Sequence, residues 1–562
     1  MQTLDLVIIF GYLLGITAFG IWFAGKQETT EDYFVGDRSV PWWAIAASIV
    51  ATETSTITFI SVPGVAFARG GNFQFLQLVL GYMLGRVVIS LLFIPSYFRG
   101  ELLTVYQLLE RRFGGRIKML AAALFVVMRN IADGIRLLLT GIVLAAVYTA
   151  FQPQANVTTV TLASIVLLGA VMIVFTYYGG MEAVIWVEVV QLGVYLAGAL
   201  AAAFVLASAV AGGFGGAVSL GEQFAKFDVV DFGLRQTPYA LSFPLTDATL
   251  SFTLPVDLTK SYTFWAGLVG GCFLTMSTHG TDQYLVQRYL CTDRPRRAAT
   301  ALLSSGAVVF AQFVGFLFIG VLLFAFYGPH ASPVYNDFAA ACAQVNPAEA
   351  AGRCLSDPAF ARAASATFPF AGGDRVFPDF ITRHMPTGLS GLVVAAIFAA
   401  ALSSSLNSIA ATAVNDLYRP FRPKRPDKHY LRVSHWLTLV WGLVQIGVAA
   451  VAMRYPSSAL DKALSVASLI NGPVLGVFLV GTFLRRVSEP PALVGMVTSI
   501  LVMLYVRFYT PLAWTWYVLL GSGVTLLAAW LASFAFAPAP AERRDELAPG
   551  AADRAPITLE ES

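Results

Sequence analysis

Residues 397–416 read IFAAALSSSLNSIAATAVND. The segment is apolar and long enough to cross a lipid bilayer as a helix. Its polar side chains are small and recur at spacings of three and four residues, so a helix places them on one face. That face carries Ser403, Ser404, Asn407, Ser408 and Thr412. Two interpretations fit this stripe: close packing between membrane helices, or coordination of a cation or a solute by several oxygen atoms.

The whole chain is too apolar for an ordinary soluble protein. Of its 562 residues 57% are hydrophobic and only 12% are charged, and the mean hydropathy is +0.70. About thirteen segments are long and apolar enough to cross the hydrocarbon core. The predicted fold class is therefore an all-α polytopic membrane protein. The predicted spans are residues 4–24, 42–68, 75–98, 119–148, 157–177, 183–211, 263–276, 298–326, 389–414, 433–453, 463–484, 492–509 and 514–536.

The loops that carry Lys and Arg predict the orientation. They follow the first, third, seventh, ninth, eleventh and last spans, so all lie on one side of the membrane. Because cytoplasmic loops are rich in Lys and Arg, we expect the amino terminus outside and the carboxyl terminus inside. The long segments 212–262 and 327–388 are then external, and Cys342 and Cys354 in the second could pair there. Residues 537–562 are expected to form a disordered cytoplasmic tail.

Two of the spans are interrupted by polar residues. The second span is broken at residues 51–56, and its helix is expected to end at Pro63 and Gly64; the seventh is broken at residues 275–283. Interrupted helices at matching places in two halves of a chain indicate an inverted repeat around a site at the membrane midplane. The repeats are then 42–211 and 263–484, with a leading helix and inner loop in 1–41 and two trailing helices in 485–536.

Charged residues inside predicted spans need a partner or water, because an unpaired charge in a membrane costs several kcal/mol. Arg129, Asp133 and Arg136 stand four and three residues apart and could satisfy one another. Glu188, in IWVEVVQ, has no cation close in sequence and is a candidate ion ligand or proton carrier. Arg288 is expected to reach the membrane interface.

Glu53 and Arg86 also fall within predicted spans. Glu53 lies at the first helix break, where it fits either a cation ligand or a protonated group that takes a hydrogen bond. Arg86 or Arg136 would favour an anionic solute if either side chain points inward.

Six motifs are spread over most of the chain: DYFVGDRSVPWW (32–43), FISVPG (59–64), YQLLERRFG (106–114), GGMEAVIWVEVVQ (179–191), GTDQYLVQRYL (280–290) and LSSSLNSIAATAVNDLY (402–418). Together they resemble the sodium:solute symporter family, whose members carry sugars, sialic acid, proline, vitamins and iodide. The resemblance implies the inverted-repeat fold of the bacterial leucine transporter, with a core of 5+5 helices, alternating access, and uptake driven by the sodium gradient.

The resemblance implies a common sodium site between the first broken helix and the helix of residues 397–416. Its backbone carbonyls would come from Ala51, Thr54 and Ile397. The family's pair of hydroxyl ligands falls on Ala400 and Ala401, whose methyl groups cannot bind a cation. At most the backbone part of this site is therefore expected.

A second sodium site, found in sialic acid carriers, is implied at Ser403, Ser404 and Glu188. The acid is Asp in those carriers, and Glu is one methylene longer. Three outcomes stay open: this site binds Na+, Glu188 carries a proton instead, or coupling has been lost.

The resemblance also implies a set of solute contacts. Compared with the family's galactose carrier, smaller hydroxyl groups and a neutral glutamine replace amide, carboxylate and tyrosine groups, which argues against a sugar site of that design. The two threonines near the second break fit helix packing equally well. The implied contacts are Thr58, Gln77, Thr275, Thr278, His279 and Asn471.

The sequence thus predicts a cation-coupled symporter, with Na+ as the coupling ion, for a small polar organic solute in the cell membrane, the inner membrane in a bacterium. The alternatives are a proton-coupled symporter that uses Glu188, an uncoupled facilitator or channel, and a transporter-like sensor. No pattern indicates an enzyme, a cofactor, nucleic-acid binding or an obligate protein partner. The expected partners are the solute and the lipid bilayer.

Overall fold

The computed structural model describes residues 2–23, 29–36, 38–68, 70–100, 102–152, 154–235, 237–242, 249–327, 370, 373–402, 405–454, 459–544 and 546–547. Helices dominate this part of the chain. In the first half they are α1 (Thr3–Phe23), α2 (Thr30–Val35), α3 (Trp42–Glu53), α4 (Thr56–Phe67), α5 (Phe75–Leu92), α6 (Ile94–Tyr97), α7 (Tyr106–Arg112), α8 (Gly115–Phe151), α9 (Val157–Ala209) and α10 (Gly213–Gln223). In the second half they are α11 (Gly271–Gly280), α12 (Gln283–Leu290), α13 (Pro295–Tyr327), α14 (Val376–Arg383), α15 (Leu389–Leu402), α16 (Leu406–Thr412), α17 (Asp427–Ala452), α18 (Ala459–Phe483), α19 (Glu489–Tyr509) and α20 (Tyr517–Ala532).

Nine helices among the described residues are long and apolar enough to cross a membrane, or ten if the bent pair α3 and α4 counts as one span. The predicted spans 263–276 and 389–414 fall on shorter helical pieces, whereas 463–484 falls on α18. Spans 157–177 and 183–211 lie on α9, which consists of two helices that meet at Gly180 without an intervening loop. Gly180 has a φ of 58°, a backbone conformation that glycine adopts readily. The count of thirteen spans and the orientation of the termini stay predictions.

The first helix break is confirmed between α3 and α4. Thr54 and Ser55 leave helical geometry (ψ 72° and 167°), and the two helices meet at 58°. The side chain of Ser55 accepts a hydrogen bond from the Thr58 amide and so caps α4. The expectation that this helix ends at Pro63 and Gly64 is wrong, since α4 continues through both to Phe67.

The second break is confirmed but is shorter than the sequence predicts. Residues 275–280 remain helical in α11, and only Thr281 and Asp282 separate α11 from α12. The backbone ladder persists to this point, with the Thr281 amide donating to Ser277 O at 3.0 Å. Asp282 then caps α12, accepting a hydrogen bond from the Tyr284 amide at 2.9 Å. A π-helical turn, Ala266–Gly270, precedes α11.

Two segments are more ordered than predicted. The segment 212–262, predicted as a loop, holds α10 and an antiparallel hairpin of β1 (Tyr239–Ser242) and β2 (Thr249–Phe252), so the chain is not purely helical. The tail is docked rather than disordered as far as residue 547, because arginine side chains and backbone groups bind its carbonyls and amides. The Ala539 amide donates to Arg486 O at 2.9 Å, and Leu547 is only 1% exposed. Residues 548–562 and both Cys342 and Cys354 lie outside the described residues.

Candidate ion and solute sites

The two helix breaks are joined by three charged or titratable side chains, which we call the central charge cluster: Glu53, Arg86 and His279. Glu53 is the last residue of α3, and His279 lies in the last turn of α11. One Glu53 oxygen pairs with Nη2 of Arg86 from α5, and the other lies against Nε2 of His279. Arg86 is 1% exposed, His279 5% and Glu53 13%, so Glu53 is the most accessible of the three. An ion pair therefore sits where both broken helices meet.

Two predicted solute contacts touch this cluster directly. The Thr58 hydroxyl donates to the backbone carbonyl of Glu53 at 3.2 Å. The Thr278 hydroxyl lies 2.9 Å from Nδ1 of His279. Thr58, Thr278 and His279 thus lie close to Glu53, whose role the sequence left open, and their contact with a solute stays a prediction.

Two further predicted contacts lie on the helices around the cluster. Asn471 of α18 accepts a hydrogen bond at its backbone carbonyl from the Ser277 hydroxyl of α11, at 3.3 Å. Thr275 faces α5 so closely that a Cβ at Gly85 would lie 2.7 Å from the Thr275 Cβ. This close approach makes Thr275 a helix-packing residue at the level of Arg86, the next residue of α5.

Gln77 stands apart from the other predicted solute contacts. Its side-chain nitrogen donates to Gln74 O and Tyr262 O, at 3.2 and 3.1 Å, and its oxygen accepts from the Asp231 amide at 3.1 Å. The side chain is buried, and these bonds fix the segment 212–262 to the start of α5.

The proposed backbone ligands of the common sodium site surround the first break. The Thr56 hydroxyl, at the start of α4, contacts Ile397 O at 3.3 Å and the Thr140 hydroxyl at 3.1 Å. Ala51 and Thr54 lie on the other side of the break, and Ile397 is on α15; all three residues are buried. The break therefore lies beside the α15 backbone. The side chains of Ala400 and Ala401 lie outside the described part of the chain.

Glu188 has a partner that the sequence did not reveal. Nε of Arg288 donates to its Oε2 at 3.2 Å, Nη2 donates to its Oε1, and both side chains are fully buried. Ser48 and Thr52 of α3 donate to the two oxygens of the same carboxylate. The expectation that Arg288 reaches the interface is wrong. Its partner is 100 residues away in sequence, so spacing along one helix gave no signal.

The residues that complete the proposed second sodium site, Ser403 and Ser404, lie outside the described residues. Asn407, Ser408 and Thr412 of the same stripe are described, and the first two bond to α12. The Ser408 hydroxyl donates to Oε1 of Gln287 at 2.6 Å, and Nε2 of Gln287 donates to Asn407 Oδ1 at 2.8 Å. For Asn407 and Ser408 the helix-packing interpretation is therefore correct.

The three charged residues of α8, Arg129, Asp133 and Arg136, pair with one another only in part. Nη1 of Arg136 lies 3.7 Å from Oδ1 of Asp133, and the other oxygen of this carboxylate, Oδ2, accepts a hydrogen bond from the Ser405 hydroxyl. Arg129 instead pairs with Asp282, the residue that caps α12 at the second break. Arg129 thus joins α8 to the second broken helix.

Comparison with known proteins agrees with this architecture. The model of the sodium:solute symporter family matches residues 33–499. The sodium/sialic acid symporter NanT of Aliivibrio fischeri is 30% identical over 536 residues, which cover 94% of this chain and 92% of that protein. The human sodium/iodide cotransporter is 27% identical over 509 residues, covering 88% and 68%.

A solved structure of a Na+-coupled sialic acid symporter, in a substrate-bound outward-open state, superposes with a TM-score of 0.74 at 26% identity. The match covers 96% of this chain and 99% of that one. The family resemblance predicted from the motifs is confirmed. The chain therefore belongs to the sodium:solute symporter family, and it is a multi-pass membrane protein.

Proposed function

We propose that this protein is a secondary active transporter that couples the uptake of a small polar organic solute to Na+ by alternating access. The observation that carries this proposal is the meeting of two broken helices at Glu53 and His279, in a member of a family of sodium-coupled symporters. Broken helices that face each other at the midplane are the usual site of substrate and coupling ion in such transporters. We further propose the 5+5 inverted repeat in 42–211 and 263–484, and a place in the inner membrane of a bacterial cell.

The solute would bind beside the central charge cluster. Thr58 of α4 and Thr278 of α11 contact residues of the cluster, and Asn471 of α18 contacts Ser277, two residues before His279. His279 contributes a ring between Thr278 and Glu53, and Thr275 lines α11 next to them. We assign Gln77 a positioning role for segment 212–262, because its amide already makes three hydrogen bonds.

The common sodium site would use the carbonyls of Ala51, Thr54 and Ile397. A helix break frees carbonyl oxygens from the backbone ladder, and hard cations prefer oxygen ligands. The contact between Thr56 and Ile397 supports this site, because it holds the broken helix against α15.

The second sodium site would use Ser403, Ser404 and Glu188, and the geometry of Glu188 favours Na+ over a proton. Protonation of Glu188 would leave the buried Arg288 guanidinium without its counter-ion, which is strongly unfavourable. Binding of Na+ to the same carboxylate leaves the ion pair intact. We therefore favour sodium coupling over the proton-coupled alternative.

One observation favours a second candidate, an uncoupled facilitator. Ala400 and Ala401 stand where the common sodium site has its hydroxyl ligands, so that site has fewer oxygens. A facilitator would equilibrate its solute without responding to Na+ or pH.

The test is uptake by the purified protein in proteoliposomes, with an inward Na+ gradient or with choline in its place. Sialic acid and lactate, each radiolabelled, are the first probes, because NanT is a sodium/sialic acid symporter and another similar protein, of Xenopus laevis, is a sodium-coupled monocarboxylate transporter. We expect Na+ to drive accumulation above the external concentration. Uptake that never exceeds equilibration, and is the same in Na+, in choline and in a pH gradient, would favour the facilitator. Asp293→Asn, which removes a carboxylate exposed after α12, is the matched control for substitutions at Glu188.

A further inference from the structure

We propose that Arg86 recognises an acidic group on the solute, so that the transported compound is an organic carboxylate. This inference rests on the proposed transport function and adds the chemical class of the solute. Part of the Arg86 guanidinium has no hydrogen-bond partner among the described residues.

Arg86 is buried with only part of its hydrogen-bonding capacity engaged. Its Nη2 pairs with Glu53, whereas Nε and Nη1 are buried and have no hydrogen-bond partner among the described residues. A guanidinium carries five N–H donors and no acceptor. Buried N–H groups of a charged side chain are costly when unpaired, so the geometry points to an acceptor that the described residues do not supply.

On the side of Arg86 that faces α13, a glycine is the neighbour, so α13 offers no side-chain acceptor at this point. Gly306 lies against the arginine stem, and a Cβ at this position would be 3.0 Å from Arg86 Cδ and 3.5 Å from Nε. Glycine thus leaves room for the arginine without offering it a side-chain partner. Glu53 is the one carboxylate that pairs with Arg86 in the described part of the chain.

Two further buried polar groups near the cluster, one on Asn471 and one on Tyr289, have no hydrogen-bond partner among the described residues. Both oxygens of Glu53 are engaged, by Arg86 and by His279. Nδ2 of Asn471 is a further buried donor without a partner among the described residues, and it lies on the α18 residue that contacts α11. The hydroxyl of Tyr289, whose nearby charges include Arg86 and Glu53, is unpaired as well. A ligand with several acceptor oxygens matches this set, and a carboxylate adds the charge that a guanidinium prefers.

The charge balance links such a solute to sodium. Arg86 and Glu53 together are neutral, so a bound carboxylate gives the cluster a net negative charge. Glu53 lies between Ala51 and Thr54, whose carbonyls form the proposed common sodium site. A Na+ ion there restores neutrality, so each ligand strengthens the binding of the other, as cotransport requires. Two of the relatives named above carry anions, sialic acid and iodide.

The test compares acids with their neutral counterparts in the purified full-length protein. The probes are N-acetylneuraminate and its methyl ester, lactate and lactamide, and nicotinate and nicotinamide. Uptake into proteoliposomes and competition against the best probe give the apparent affinities, each measured in Na+ and in choline. In Na+, we expect the apparent affinity for an acid to be higher than the apparent affinity for its neutral counterpart.

The variants are Arg86→Gln and the double variant Arg86→Gln with Glu53→Gln. The double variant removes both charges, so it leaves no uncompensated ion in the membrane. Its fold is checked by unfolding temperature without solute, and Arg86→Lys tests the need for the guanidinium fork. Loss of a charge-assisted contact should weaken binding of the acid about tenfold to hundredfold, and it should weaken binding of the acid more than binding of the neutral counterpart.

The outcomes separate this inference from the proposed function. If Na+ drives uptake of neutral counterparts as well as acids, or if the folded double variant prefers the acid as strongly as the wild type does, the inference about Arg86 is overturned and the transport proposal stands. Sodium-driven uptake confined to non-acidic solutes would overturn it too. If no probe is taken up in a Na+-dependent way, and Na+ does not stabilise the protein, the proposed function itself fails.

Discussion

Arg288 and Glu188 form a fully buried ion pair that joins α12, the second piece of the second broken helix, to α9. Ser48 of the first broken helix lies in the same contact: it donates to Glu188 and accepts from Nε of Arg288 at 2.9 Å. Three helices therefore share one buried carboxylate. Any ion that binds Glu188 acts on the positions of both broken helices.

The ion pair makes Glu188→Gln a destabilising substitution, because it leaves Arg288 charged, buried and without a counter-ion. We expect a loss of about 3–5 kcal/mol in unfolding free energy. The double variant Glu188→Gln with Arg288→Gln should recover most of that loss, since it removes both charges. Thermal unfolding in detergent checks both expectations against Asp293→Asn. Equal stability of the single and double variants would contradict the account of this pair.

Gln287 should hold α12 against its neighbours on the side predicted to be cytoplasmic. Its side chain bonds to Asn407, Ser408 and Phe34 O. Gln287→Leu should loosen this contact and expose Cys291, a buried free cysteine one turn further along. The measurement is the rate of maleimide labelling at Cys291 in a background without the other three cysteines. We expect labelling to speed up at least severalfold, and an unchanged rate would show that Gln287 does not hold α12.

Lys226 connects segment 212–262 to the end of α4. Its ammonium donates to the carbonyls of Ala66, Phe67 and Ala68, at 2.9, 3.3 and 2.6 Å. Burial lowers the pKa of Lys226 to about 8 from 10.5. Between these values the unfolded chain holds a proton that the folded chain has lost, so stability should rise with pH across that window.

The comparison for this titration is Lys226→Met, which cannot titrate. As pH rises from 8 to 10.5, the unfolding temperature of the wild type should increase relative to that of the variant. A difference that stays constant over this window would mean that the pKa of Lys226 is not lowered.

The docked tail should contribute to stability as far as Leu547. Leu547 is buried, and its Cδ1 would lie 2.6 Å from a Cβ at Gly481, the α18 residue against which it packs. Two arginines add hydrogen bonds between the tail and other segments: Arg99 donates to Glu546 O, and Arg543 donates to Phe113 O. Leu547→Ala should cost about 2–5 kcal/mol in unfolding free energy.

A pair of truncations gives the control for the tail. Removal of residues 548–562 should leave the unfolding temperature unchanged, whereas removal of 538–562 should lower it. Equal unfolding temperatures of the two truncated proteins would mean that the docked tail adds no stability.

Much of this fold follows from local patterns in the sequence. The long apolar segments predict most helices, and the polar interruptions at 51–56 and 275–283 locate both breaks. The exact end of α11 was not predictable, because residues 275–280 keep their backbone ladder although their side chains are polar. The hairpin in 212–262 and the docked tail depend on contacts with distant segments, and such contacts leave no periodic signal.

The candidate site was predictable where one helix supplied the signal and not where two helices had to meet. The helix break and the resemblance pointed to Thr58, Thr278 and His279, which the structure brings together. The partners of Glu53 and Glu188 were missed, since Arg86 and Arg288 come from other helices. The stripe at 397–416 fits helix packing or ion binding by its sequence alone. The structure shows helix packing for Asn407 and Ser408, which bond to Gln287 of α12.

The central claim, coupling to Na+ at sites shared by the broken helices and Glu188, is tested most directly by Na+ binding itself. The measurement is the unfolding temperature of the purified protein in NaCl and in choline chloride at matched ionic strength, at acidic and at alkaline pH. We predict that Na+ raises the unfolding temperature at both pH values, and that the double variant Glu188→Gln with Arg288→Gln loses much of this rise. Identical unfolding temperatures in Na+ and choline at both pH values would contradict sodium coupling.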